Sequence, residues 1–366
     1  MTISASNKLR VYLALYAAFL GCRRKTFKEV SKQPFPPNGS FPKGLRAFFW
    51  TPASGPGANV IVHDMLPSVH RQIAELSLDW HVSAGPHLPS HELDWLICFK
   101  AVPEPHERSR APRTVLLICH CAEMFWDRLS TFDAVVGTSS RPFARLLTMG
   151  HKDVVFIPES EPPEYLDFGK KNLNASPAER GNVVLWHGGE YSQDALVRLR
   201  PALERWAKSA DAQLHVISGQ KPPRVERWGN LPVHFLPWSK KQLFRSAAVA
   251  RLGIVPARTG LKRSWLKPAS RVRCLCALGV PTVGDSHVPD TVDFMSGFGG
   301  PMARQEQEWS QAIEKLWNDN DALRQLAVAG HAAVAREFST EHTARQWIRL
   351  LSETSADGRK GVRKLP

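Results

Sequence analysis

Lys267-Pro-Ala-Ser-Arg271 opens the stretch of sequence that decides the fold, and Val-Arg-Cys-Leu-Cys-Ala-Leu-Gly279-Val-Pro-Thr-Val283 completes it. The pattern predicts a basic loop, one short helix and a Gly-Val-Pro turn into a buried strand. The first N–H groups of a helix have no intrahelical acceptor, and an arginine can bind two oxygens of one phosphate at once. We therefore expect an anion site at Lys267, Ser270 and Arg271. A solvated basic loop is the alternative interpretation of the same charges.

Strand-like apolar runs alternate with helical segments on both sides of this stretch. Residues 114–119 form a near-continuous apolar run of the kind buried in parallel sheets. Strands that alternate with helices indicate a parallel sheet with both faces covered. The sequence thus predicts an α/β protein with two Rossmann-like, doubly wound domains facing a central cleft. The predicted strands cover residues 45–50, 59–63, 80–83, 94–99, 114–119, 132–137 and 153–157, then 182–186, 213–217, 233–236 and 251–255.

Changes in composition set the expected domain limits. A length of 366 residues suits two domains, and the polar segment 159–180 predicts a linker between them. We expect Rossmann-like domains at 45–165 and 180–335, and a closing helix at 336–351. Residues 194–209 are expected to form one helix with an apolar stripe.

The two ends of the chain are basic. Residues 11–20 form an apolar run that is too short to cross a bilayer and has basic flanks. Two interpretations stay open: an amphipathic helix within residues 1–33 that lies on the membrane surface or on the protein itself, and a cleaved signal peptide. The following Arg23, Arg24 and Lys25 favour the helix. Residues 352–366 are expected to be a disordered basic tail.

Charge and cysteine usage narrow the function classes. The net charge of +14 favours an anionic partner, namely nucleic acid, an anionic membrane surface or a phosphorylated ligand. No nucleic-acid-binding motif occurs, so we do not expect nucleic acid as the partner. The six cysteines fit buried free thiols in a reducing compartment. No Cys-x-x-Cys spacing occurs, so no metal is expected.

Two further groups of residues could complete a site in the C-terminal half. His187-Gly188-Gly189-Glu190 follows a predicted strand and precedes a helix, where glycines let the backbone approach a phosphate or a sugar. Arg258 follows the strand that ends near residue 255 and would add positive charge. The alternative interpretation of residues 187–190 is an ordinary turn between a strand and a helix, and that of Arg258 is a surface charge.

In the N-terminal half, three polar residues follow predicted strands. His63 and Asp64 end one of them, and His120 ends another. The end of a strand is where a general base for the acceptor, or a group that positions the acceptor, would lie. Asp64 could orient a histidine there. We treat Asp64 and His120 as catalytic candidates and His63 as a substrate-binding one. A histidine hydrogen-bonded for purely structural reasons is the alternative.

Over roughly residues 45 to 351, and more closely in the C-terminal half than in the N-terminal half, the chain resembles the two-domain GT-B glycosyltransferases, in particular bacterial families 1 and 4. Lys267-x-x-Ser270-Arg271 is similar to a Lys-x-x-Asn-Arg variant of their donor motif, and residues 277–283 are similar to its Ala-Leu-Gly-x-Pro-Val-Val. Residues 234–256 resemble the stretch that leads to the donor site. One departure is clear, because Cys274 and Leu266 stand at or near the positions of the two usual glutamates.

The resemblance implies transfer of a sugar from a nucleotide-sugar donor to a bacterial surface-polysaccharide or glycolipid acceptor, with retention of configuration. Lys267 and Arg271 would stabilise the departing diphosphate, with no metal or cofactor. The protein would then act in the cytoplasm, at the inner face of the cytoplasmic membrane. Two other functions stay open: a nucleotide-sugar epimerase of the same fold, and a non-catalytic anion-binding module.

Overall fold

The computed structural model describes residues 28–29, 41–52, 62–119, 125–219, 221–257 and 267–353. They form two compact units. Unit 1 contains the described residues up to Ser160 and those from Thr340 onward, and unit 2 is Glu161–Ser339. The last helix therefore belongs to the same unit as the first half of the chain.

The described residues contain fourteen strands. In chain order they are β1 (Lys28–Glu29), β2 (Arg46–Trp50), β3 (His81–Gly85), β4 (Trp95–Phe99), β5 (Arg113–Ile118), β6 (Ala134–Gly137), β7 (Val154–Phe156), β8 (Val183–His187), β9 (Gln213–Ile217), β10 (Arg224–Trp228), β11 (Leu231–Leu236), β12 (Ala250–Val255), β13 (Thr282–Asp285) and β14 (Met302–Ala303).

Thirteen α-helices lie in the same residues. They are α1 (Leu66–Glu75), α2 (Pro105–Arg108), α3 (Arg141–Leu147), α4 (Pro163–Asn172), α5 (Pro177–Arg180), α6 (Gln193–Arg198), α7 (Arg200–Trp206), α8 (Lys240–Ala248), α9 (Ser270–Ala277), α10 (Pro289–Ser296), α11 (Glu306–Trp317), α12 (Asn320–Glu337) and α13 (Thr340–Glu353). None of them is both long and apolar enough to cross a membrane.

Unit 1 is built on a parallel sheet with the strand order β1-β7-β6-β5-β4-β2-β3. Its central strands are apolar on both faces, as the sequence predicts, and all five residues of β4 are buried. Helix α13 covers part of this sheet, since Trp347 meets Phe49 edge to face at 4.9 Å. It also packs beside α1, where Ser68 Oγ donates to Thr340 Oγ1 at 3.0 Å.

Unit 2 has a second sheet with the strand order β10-β11-β9-β8-β12-β13-β14. Its neighbouring strands run parallel, except for the edge pair β10 and β11. The first strand of the unit, β8, has β9 on one side and β12 on the other. Strand order therefore reverses between β8 and β12, and ligands bind at such points in open α/β sheets.

Both faces of the unit 2 sheet are covered. Val184 and Trp186 of β8 point into one apolar cluster with α7 and α11, whereas Leu185 points into another with α8 and α9. Successive residues of a strand face opposite sides of a sheet, so alternate β8 residues serve two cores. The expectation of two Rossmann-like domains is confirmed by the two sheets.

The segment predicted as a linker is largely helical. Residues 163–172 form α4 and residues 177–180 form α5. Gly169 of α4 lies so close to α9 that a Cβ there would overlap Ala277 O. Asn172 Nδ2 donates to Leu278 O at 2.9 Å, which ties α4 to the end of α9. Tyr165, Leu166 and Phe168 of α4 also pack against the apolar cluster that contains α9, and Phe168 stacks on Phe244 at 4.7 Å. The polar and charged residues around them concealed this helix in the sequence.

Three other segments differ from expectation. The helix predicted at 194–209 is two helices that meet at Leu199, because Pro201 has no N–H for the next helical bond and its ring crowds the preceding turn. Lys28–Glu29 pairs with the edge strand β7 instead of forming part of a helix, which satisfies open backbone groups at that edge. Val62 and His63 lie in a helical turn rather than a strand.

Candidate functional site

The carboxyl ends of β8 and β12 bring together the residues that follow them. Arg271, the second residue of α9, reaches this point, and its Nη2 donates to Pro256 O just beyond β12 at 3.5 Å. Its Nη1 is buried and has no hydrogen-bond partner among the described residues. A buried guanidinium nitrogen without an acceptor is costly, so an anion placed here would be stabilised. Burial lowers the pKa of Arg271, yet an arginine remains charged at neutral pH.

Gly188 leaves room for this guanidinium on the β8 side. A Cβ at Gly188 would lie 3.0 Å from Cζ2 of Trp186 and 3.2 Å from Nη1 of Arg271. Both contacts are tighter than side chains normally make, so a larger residue would force Trp186 or Arg271 to shift. Gly188 N also donates to Ile217 O at 3.1 Å, which fixes the turn that follows β8. The glycine that the sequence singles out thus has a steric role beside Arg271.

His187 connects β8 to the first turn of α9. Its Nε2 lies 3.3 Å from Arg271 O, and only 8% of the residue is exposed. Burial and the nearby Arg271 charge lower the pKa of His187 from 6.5 to about 4, against the opposing effect of this hydrogen bond. At neutral pH the ring is therefore uncharged, and Nε2–H donates to the carbonyl. His187 holds the helix start and adds no positive charge to the site.

The buried carboxylate of Asp290 fixes the start of α9. Ala269 N donates to Asp290 Oδ2 at 2.7 Å, so Asp290 fixes the residue before the helix. Ser270 is the first helical residue rather than the cap, because the capping position belongs to Ala269. Lys267 lies on the same side of unit 2, with its Nζ 5.5 Å from the ring centre of Tyr191. Lys267, Ser270 and Arg271 are thus brought together with the turn after β8.

A second buried carboxylate, Asp285, ties the ends of β12 and β13. Its Oδ2 accepts from Ala257 N at 2.8 Å and from Arg198 Nη2 at 3.4 Å. Its Oδ1 accepts from His287 Nδ1 at 2.7 Å. Sequence reasoning missed this network, although an aspartate directly after an apolar strand is its signal. Both oxygens of Asp285 accept hydrogen bonds, so this carboxylate holds the ends of β12 and β13 in place and is not a general-base candidate.

No family model matches this chain. No curated protein matches it either. Similar solved structures do exist. A glycosyltransferase from Rickettsia africae has a TM-score of 0.57 at 10% identity, over 84% of this chain and 98% of that one. Anabaena HepE, in complex with UDP and glucose, has a TM-score of 0.54 at 13% identity, over 84% and 99%. The sucrose-phosphate synthase of Thermosynechococcus elongatus has 0.54 at 14%, over 84% and 98%.

The chain has the GT-B fold. At 10–14% identity the likeness shows this fold alone. The expected resemblance to GT-B glycosyltransferases is thereby confirmed for the architecture.

Within this GT-B chain, Cys274 is part of the core. It lies on α9 with 7% of its surface exposed, and burial raises the pKa of its thiol well above the ordinary value. No carboxylate stands at this position, where the resembling families have the second of their glutamates. Cys98, Cys119, Cys274 and Cys276 are all buried and free, as the sequence predicts.

Arg273, two residues after Arg271 and therefore on the opposite side of α9, is a buried cation of the core. It is 1% exposed, and its Nε donates to Glu161 Oε1 at 3.4 Å. Its guanidinium also lies 4.4 Å from the ring centre of Phe338 and 3.8 Å from Asp290 Oδ2. Burial raises the pKa of Glu161, and the positive charge of Arg273 opposes that change. Arg273 thus fixes α9 from the core side.

The remaining predicted residues are dispersed. Glu190 begins a short 3-10 helix after the Gly188-Gly189 turn, on the β9 side of the site. His63 and Asp64 are exposed in unit 1, in the turn before α1. His120 and Arg258 lie outside the described residues. Within the described residues, no group of three His, Cys, Asp or Glu side chains is placed to hold a metal.

Proposed function

We propose that this chain is a glycosyltransferase that uses a nucleotide-sugar donor, with the donor diphosphate held at the switch point of unit 2. The observation that carries the proposal is the buried Nη1 of Arg271 at the ends of β8 and β12, which has no hydrogen-bond partner in the part of the chain that the structure describes. An arginine at such a point fits a diphosphate, because its fork of N–H groups matches phosphate oxygens. Anabaena HepE, which has the same fold, is described in complex with UDP and glucose.

The residues around Arg271 would act on the leaving group. As the bond between sugar and phosphate breaks, negative charge grows on the diphosphate. Arg271, Lys267 and the first N–H groups of α9 are cations and donors already fixed in place. Stabilisation that strengthens as charge develops raises the rate and not only the affinity. His187 keeps this arrangement rigid through Arg271 O.

The acceptor that we propose is a bacterial surface polysaccharide or glycolipid, reached at an anionic membrane surface. The net charge of +14 supports a membrane-bound acceptor, because anionic headgroups attract such a protein. We further propose that the anomeric configuration is retained. Proton NMR of the first-formed product would test this, since an inverted anomer contradicts retention.

A thermal-shift panel with UDP, GDP, CMP and dTDP and their sugars tests the donor class. One nucleotide should stabilise the chain, and Arg271→Gln should weaken its binding about 10- to 100-fold, the loss expected for a hydrogen bond to a charged group. The matched control is Arg336→Gln, which removes an exposed arginine from α12 of the same unit. Stabilisation by none of the nucleotides would favour the anion-binding module.

A turnover assay separates transfer from epimerisation. With the stabilising nucleotide-sugar, Lys267→Ala and Arg271→Ala should remove most glycosyl transfer while unit 2 stays folded, and Lys315→Ala on α11 is the control. An isomerised donor formed without acceptor would instead identify an epimerase. Wild-type turnover in the Lys267→Ala, Arg271→Ala double variant would exclude the roles given to both residues.

A further inference from the structure

A small polar cavity lies one strand away from Arg271. Its volume is about 20 Å³, and it is open to one side where Glu190, Ser218 and Lys221 meet Leu236 at the end of β11. That space suits one water-sized or hydroxyl-sized group. The residues lie at the carboxyl ends of β8, β9 and β11, the same edge that carries the Arg271 site.

The carboxylate of Glu190 is placed against the end of β9. Its Oε1 occupies the space that a Cβ on Gly219 would take, so only glycine lets the carboxylate lie there. Gly219 also has a φ of +56°, which disfavours other residues. Glu190 Oε2 lies 3.8 Å from Lys221 Nζ, and this pair is exposed to solvent. Both carboxylate oxygens therefore keep the capacity to accept further hydrogen bonds.

Ser218 is the second polar side chain of this cavity. It is 8% exposed and lines the same cavity, and its Oγ has no hydrogen-bond partner among the described residues. A buried hydroxyl without a partner is uncommon, because it costs free energy unless a water or a ligand satisfies it. The serine therefore indicates a ligand hydroxyl in this cavity.

We propose that Glu190 and Ser218 bind the ribose hydroxyls of the nucleotide, and that this pair makes the site specific for ribonucleotides. The proposal rests on the proposed function, which places the diphosphate at Arg271. A carboxylate accepts hydrogen bonds from both hydroxyls of a vicinal diol, whereas it repels phosphate. In doubly wound sheets that bind dinucleotides, an acidic group at the end of the second strand has this role. Glu190 itself follows β8, the first strand of unit 2, but its carboxylate lies against Gly219, two residues after the second strand β9.

Deoxy analogues test the proposal. The full chain is titrated calorimetrically with the nucleoside diphosphate that binds best, and with its 2′-deoxy and 3′-deoxy forms. Wild type should bind at least one deoxy form about 10- to 100-fold more weakly, as expected when a hydrogen bond to a charged group is lost. Glu190→Ala should weaken binding of the ribonucleotide and bring that ratio close to one. Ser218→Ala should lower the ratio in part.

The control is Glu314→Ala, an exposed glutamate of α11, which should leave the ratio unchanged. Equal binding of all three nucleotides by wild type would overturn the ribose assignment while leaving the proposed function intact. A Glu190→Ala variant that weakens every nucleotide equally would also overturn it, because the residue would then be only structural. If no nucleotide binds, the proposed function fails and the ribose assignment fails with it.

Discussion

Replacing His187 by glutamine should make the stability of unit 2 less dependent on pH. The folded state holds the pKa of His187 near 4, against 6.5 for an unperturbed histidine. Between these values the unfolded chain binds the proton and the folded chain does not, so stability is present above pH 6.5 and is lost as the pH falls toward 4. Glutamine keeps a donor for Arg271 O but does not titrate.

The expected size follows from the two pKa values. Between pH 7 and pH 5 the histidine should cost about 2 kcal/mol of unfolding free energy, with a limit of about 3 kcal/mol at still lower pH. His215, whose pKa burial and His234 also lower to about 4, contributes to wild type and variant alike. The difference between the two proteins therefore isolates His187.

Urea unfolding at pH 7, 6 and 5 measures this difference. Hydrogen exchange of peptides that cover 183–187 and 250–255 reports unit 2 alone. The variant should lose about 2 kcal/mol less than wild type from pH 7 to pH 5, and the exposed-site control His106→Gln should follow wild type. Parallel curves for wild type and the His187 variant would refute the reasoning, because His187 would then titrate alike in both states.

Three further results are expected for unit 2. Gly169→Ala should lower its unfolding free energy by about 1–3 kcal/mol or more in urea titrations, since the added methyl overlaps α9; an unchanged midpoint would contradict the close packing of α4. Arg273→Ala should cost about 3–5 kcal/mol in the same assay, because it leaves buried carboxylates without their cation; a loss below about 1 kcal/mol would show that the pair is dispensable. Cys274 and Cys276 should resist iodoacetamide at pH 8 until urea unfolds the chain, because burial raises both thiol pKa values, that of Cys276 to about 12; mass spectrometry of their peptide checks this, and rapid labelling of the native protein would count against it.

The sequence predicts strands and helices best where their burial requires a regular pattern of apolar residues. Strands such as β5 and β8 are continuous apolar runs, because a parallel sheet is buried on both faces. Helix α4 leaves a weaker pattern, since Gly169 is its one buried residue and its apolar Tyr165, Leu166 and Phe168 are only partly buried. Strand β10 is also hard to find, because four of its five residues are exposed at the sheet edge.

The residues of the candidate site also fall into two groups, those that the sequence predicts and those that only the fold brings together. Lys267, Ser270, Arg271 and the Gly188 turn lie in short local patterns, so the sequence identifies them. Asp285 and Arg198 are 87 positions apart and meet only through the fold. Nη1 of Arg271 and Oγ of Ser218 find no hydrogen-bond partner within the described ranges, and this too is a property of packing that no local pattern contains.

The central claim is that a nucleoside diphosphate binds at the switch point of unit 2. Hydrogen-exchange mass spectrometry of the full chain, with and without the best-binding nucleoside diphosphate, tests it most directly. Exchange should slow in peptides that cover residues 187–191 and 268–273, and Arg271→Gln should remove most of that protection at the same nucleotide concentration. Protection that is absent from both peptides, or that persists unchanged in the variant, would contradict the claim.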